Sequence, residues 1–155
     1  MSDDWIKKIT DAQNAKLKAE QEQAALAAER RNKYNAKIRP FRKDIGNSLA
    51  NSLRSYNDAT PDRSKVQFSA DRLEVFAVQT NTAPPSKLTI ELNIPGQTIR
   101  RGQDIRKPIG APIQKEESFR VDISDDDELC IRVSNTNQIV TDPAEALLRL
   151  FLEAL

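Results

Sequence analysis

The chain changes its hydrophobic rhythm twice. From Asp3 to Ile38 the apolar positions are sparse and mostly Ala, and between Thr10 and Lys33 the only large aliphatics are Leu17 and Leu26. The stretch holds no Gly and no Pro, and it is dense in Ala, Lys, Glu, Gln and Arg. These residues lose least on entering a helix. Phe41, Ile45, Leu49, Leu53 and Tyr56 then recur at spacings of four, four, four and three, a single apolar stripe on a helix. Beyond Val66 the period drops to two, the signature of half-buried strands.

The pattern predicts an exposed helix over 3–38, with Asp3 and Asp4 at its positive end. Pro40, suited to the first helical position, is expected to open a second helix over 40–57. Gly46 weakens that helix by about 1 kcal/mol relative to Ala, and Asn57, Asp58 and Pro61 end it. Strands are expected at Val66–Phe68, Leu73–Val78, Leu88–Ile94, around Thr98–Arg101, at Phe119–Ile123 and at Leu129–Val133. Residues 102–116, with Gly102, Pro108, Gly110 and Pro112, read as an irregular loop. Ser124–Asp127 reads as a hairpin turn. Asp142, Pro143 and Glu145 form a helix start of capping-box type, leading into an apolar helix over 143–155.

The expected fold is therefore α+β. A long exposed N-terminal helix precedes a second helix packed on a five- or six-stranded antiparallel sheet, and a C-terminal helix closes the core. Two regions are expected, an extended 1–39 and a globular 40–155.

The long helix also has a coiled-coil reading. A 4,3 frame from Ile6 selects Ile6, Thr10, Gln13, Leu17, Glu20, Ala24, Ala27, Arg31, Tyr34, Ile38, Phe41 and Ile45. Eight of these twelve are apolar and two of the eight are Ala, a thin seam for a zipper. Weak homo-oligomerisation and a solvated or partner-bound helix are the two expectations. Trp5, Leu17, Leu26 and Tyr34 are the candidate partner-binding residues, Trp5 as an aromatic anchor.

Charge sharpens this picture only locally. Lys and Arg number 24 and Asp and Glu 23, a net charge of +1. Yet Arg30, Arg31, Lys33, Lys37, Arg39, Arg42 and Lys43 fall in one block without an acid. Such a block suits phosphates or an acidic protein surface. A second block, Asp122, Asp125, Asp126, Asp127 and Glu128, holds no base. It lacks the spacing of a calcium loop, and it is expected to serve as a turn or to attract a basic block.

Catalytic chemistry is scarce. The chain has no His and a single Cys, Cys130. That excludes His-based triads, His metal sites and an internal disulfide. Four Gly in the whole chain form no phosphate-cradling loop. A Ser-Lys dyad needs a buried Lys reaching the Ser, and adjacency in a loop does not provide that for Ser64-Lys65 or Ser86-Lys87. No cofactor, no metal and no enzymatic activity is expected. No stretch approaches a membrane span or a secretory signal, so a cytoplasmic, non-membrane protein is expected. The leading expectation is a non-catalytic interaction protein (adaptor, accessory subunit or assembly factor) working through the N-terminal helix. A nucleic-acid binder using Arg30–Lys43 is the alternative, and an enzyme a distant third.

Overall fold

Helix-forming composition carries the chain further than its prolines suggest. The computed structural model describes residues 3–61, 65–70 and 75–155. Its first element is one helix, α1, over Asp4–Ala59, with Pro40 inside it. The second helix expected over 40–57 is thus the continuation of the first. Pro40 is exposed, and flanking good helix formers offset the hydrogen bond that it cannot donate.

The chain divides into two compact units, Met1–Ala36 and Lys37–Leu155. The first consists, over its described residues, of α1 as far as Ala36. The second holds the remainder of α1, the sheet and the C-terminal helix. Its strands are β1 (Val66–Ser69), β2 (Val75–Thr80), β3 (Lys87–Asn93), β4 (Thr98–Ile105), β5 (Ile113–Ile123), β6 (Leu129–Val133) and β7 (Ile139–Val140). Helix α2 follows at Pro143–Ala154. Leu73 and Glu74, expected to open the second strand, lie outside the described residues, as does Ser64.

The α+β architecture stands, but the sheet has seven strands among the described residues instead of five or six. They run in order β1 to β7, each antiparallel to the next. Two causes enlarge it. Most of 102–116 is strand, so the irregular loop shrinks to 106–112. Ile139 and Val140 add a short edge strand against β6.

Register explains which face is dry. Phe76 pairs with Ile90 and Val78 with Leu88. Leu92 pairs with Ile99, Ile99 with Phe119, and Val121 with Ile131. All are buried. Their neighbours Thr89, Glu91, Arg100 and Arg120 take the other, exposed face.

Ile45, Leu49 and Leu53 of α1 and Ala144, Leu147, Leu148 and Phe151 of α2 complete the core. Each large side chain contributes about 1.5–3 kcal/mol by leaving water. Gly46 lies against the Phe76 ring, where an added Cβ would stand 3.1 Å from Cε1. Asp142 caps α2 as the sequence predicts, its Oδ1 accepting from the Glu145 N–H at 3.2 Å.

Candidate interaction surface

A helix stretch with little apolar content leaves what it has in water. Within Asp4–Ala36, Trp5, Ile6, Ile9, Leu17 and Leu26 are 44–63% exposed. Three of the four predicted partner-binding residues, Trp5, Leu17 and Leu26, are therefore surface. Tyr34 is only 2% exposed, and burial pushes its phenol above the ordinary tyrosine range.

The basic block is dispersed among several roles. Lys33 pairs with Glu29 one turn earlier at 3.5 Å, in the ordinary i,i+4 way. Lys37 donates to the Asp127 carbonyl oxygen and stands 3.5 Å from Glu128 Oε1. The guanidinium of Arg42 lies 5.2 Å from the centre of the Phe76 ring, a cation–π contact within the second unit. Arg30, Arg31, Arg39 and Lys43 remain exposed, with no ion pair among the described residues.

The acidic run divides in the same way. Asp122 faces Arg132 and Arg120 at 3.7 and 3.9 Å. Asp125, Asp126 and Asp127 are exposed in the β5–β6 turn, where Asp127 takes a positive φ of 59°, a conformation that Asp tolerates better than most residues. From the basic block, Lys37 meets the run at Asp127 and Glu128. Arg100 pairs with Glu116 and Arg106 with Asp104. Cys130 stands opposite Asp122 on the polar side of the sheet, half-buried. Ser86 Oγ accepts from the Arg106 N–H at 2.8 Å. Among the described residues no cluster of His, Cys, Asp and Glu could hold a metal.

One polar cluster escaped the sequence pattern. Arg101 occupies a dry-face position between Ile99 and Gln103 and is fully buried. Its Nε donates to the Leu147 carbonyl oxygen at 2.7 Å, and Nη2 donates to Gln103 Oε1. Among the described residues Nη1 finds no acceptor. Burial lowers its pKa, and Glu117, directly opposite on β5, partly offsets the shift. The cluster binds α2 to the sheet; its signal in the sequence was an arginine at a position that the alternation assigns to the core.

A polar hollow opens on the other face above Gly102, lined by Lys87, Thr89, Asp104 and Glu116. Among the described residues no helix is long and apolar enough to cross a membrane. No protein-family model, curated protein or solved structure matches the chain.

Proposed function

We propose that the protein is a non-catalytic interaction module whose N-terminal helix engages another protein. The observation that carries this reading is the exposure of Trp5, Ile6, Ile9, Leu17 and Leu26 along Asp4–Ala36. Exposed aromatic and aliphatic groups on a helix are what a partner's groove takes up. Gln13, Glu20 and Arg31 at seam positions weigh against a tight self-pairing of this helix.

Trp5, the one tryptophan in the chain, supplies the test. Partners cross-linked to the full chain in cells are compared with those of Leu17→Lys/Leu26→Lys. Purified candidates are then titrated while Trp5 emission is read. A partner lost in the variant that shifts Trp5 emission to shorter wavelength supports the proposal. Identical partner sets and an unmoved spectrum overturn it.

The second reading, nucleic-acid binding, rests on the exposed Arg30, Arg31, Arg39 and Lys43. Fluorescence anisotropy of labelled DNA and RNA at two salt concentrations tests it. Binding that weakens steeply with salt and vanishes when the four become Glu supports it. No binding at low salt removes it.

A further inference from the structure

Strand β5 is longer than the strand beside it. Its residues Phe119–Ile123 pair with β6, and Ser118 takes the Ser134 N–H on its carbonyl oxygen at 3.2 Å. From Ile113 to Glu117 it pairs with β4 on one side only; among the described residues no strand covers the other. The Val121 N–H points to Gln97 on the β4 side, while the Ser118 carbonyl points to the β6 side. Strand alternation therefore aims the N–H and C=O of Gln114 and Glu116 outward at the open edge. Ile109 and Ile113, two of the exposed large aliphatics, lie where the chain comes onto this ledge.

We propose that this ledge docks a second copy of the chain, β5 against β5, antiparallel about a two-fold axis at Lys115. The inference uses a different surface from α1 and does not rest on the function proposed for that helix. Length and register argue for a second copy. Ile113 of one copy stands opposite Glu117 of the second copy, so the paired segment is the open segment and nothing longer. The chain before Ile113 leaves the strand track at Pro112, just where β6 of the second copy ends. Gln114 then stands opposite Glu116 of the second copy, and each pair exchanges both outward backbone bonds. Every outward group on the ledge is satisfied, which a shift of the axis by one residue to Glu116 does not achieve, because the Ser118 carbonyl is already taken.

Charge points the same way. Natural edges carry Lys and Glu to repel chance pairing, and this one carries Lys115, Glu116 and Glu117. These charges are neutralised on each side of the ledge. Lys115 holds Glu117 at 3.7 Å on one face, and Arg100 holds Glu116 at 2.8 Å on the other. Two ledges brought together antiparallel enclose the Lys115 pair between two Glu117 carboxylates. The interface is neutral on both faces, and its symmetry closes, so assembly stops at two copies.

Sedimentation velocity of the full chain over a range of concentrations tests the proposal. The expected result is a shift from 17.5 kDa to twice that mass. Glu116→Pro removes an outward N–H and the ion pair to Arg100 but no backbone hydrogen bond to β4, and it should leave the monomer at all concentrations with unchanged circular dichroism. Lys115→Glu alone should also give the monomer. Lys115→Arg, which keeps the charge and leaves Glu117 opposite Arg101, should retain the dimer. A wild-type chain that stays monomeric throughout overturns the proposal. So does a dimer that survives Glu116→Pro and Lys115→Glu, or one lost instead in Leu17→Lys/Leu26→Lys, which would place the contact on α1.

Discussion

Arg101 Nε donates to the Leu147 carbonyl oxygen at 2.7 Å, so a fully buried guanidinium on β4 is bonded to the middle of α2. Desolvating that charge costs several kcal/mol, and among the described residues no carboxylate hydrogen-bonds to it. Replacing both partners by apolar side chains of similar length removes the burden, keeps the volume and leaves neither group unsatisfied. Arg101→Met combined with Gln103→Leu is expected to be neutral or stabilising by about 1–4 kcal/mol. Gln103→Leu is expected to destabilise by about 1–3 kcal/mol, because it leaves Nη2 without its acceptor. Urea unfolding of both variants checks the pair. A loss of several kcal/mol in the double variant would mean that the bond to α2 outweighs the desolvation.

Asn57 forms the second polar clasp of the core unit. Its Nδ2 donates to the Val66 carbonyl oxygen at 2.9 Å, and its Oδ1 accepts the Val66 N–H at 2.8 Å. The last turn of α1 thus occupies both backbone groups of the first residue of the edge strand β1. Asn57→Ala is expected to cost about 1–3 kcal/mol. Hydrogen exchange should show the loss concentrated in β1, with the β3–β4 amides following only global unfolding. Uniformly accelerated exchange would show that the clasp is not local.

These two clasps mark where sequence pattern ceases to be enough. The alternation Leu88, Ile90, Leu92 identified β3 because each apolar residue meets the core and each polar one meets water. The same rule hid the second half of β4, where Arg101 and Gln103 occupy core positions. It hid the start of β5 for the opposite reason: Gln114, Lys115, Glu116 and Glu117 are polar on both faces because that half is an open edge. Pro40 suggested a helix boundary by a local preference that its helix-forming neighbours override. Two-residue β7 is too short to have a period. Trp5, Leu17 and Leu26 were legible as surface because nothing around them could bury them. The dispersal of Lys37 and Arg42 onto the acidic turn and the Phe76 ring depends on contacts distant in the sequence.

Tyr34 gives the fold an alkaline limit. An unfolded phenol titrates near 10, and burial holds the folded one higher. Below about pH 10 both states keep the proton and its contribution to stability is fully present. As pH rises past that point the unfolded state releases its proton first, and stability falls until the folded phenol titrates too. Tyr34→Phe should flatten this alkaline decline. Melting temperatures of both proteins between pH 8 and about 11 provide the check; parallel curves would place the sensitivity elsewhere.

Two substitutions in α1 separate backbone from packing. Pro40 is exposed and lies in the helix interior, where it removes a backbone hydrogen bond and crowds the preceding turn. Pro40→Ala is expected to stabilise the protein by up to about 3 kcal/mol. Gly46→Ala offers about 1 kcal/mol by the same propensity argument, but its Cβ would meet Phe76 Cε1 at 3.1 Å. That ring has little freedom to yield, with Phe68 stacked 6.0 Å away and Arg42 above it at 5.2 Å. Strain of about 1–3 kcal/mol therefore cancels or exceeds the gain. Denaturant unfolding should rank Pro40→Ala above wild type and Gly46→Ala level with it or below. A Pro40→Ala protein no more stable than wild type would show that the helix does not run unbroken through residue 40, while a clearly stabilised Gly46→Ala would show that the Phe76 ring moves aside.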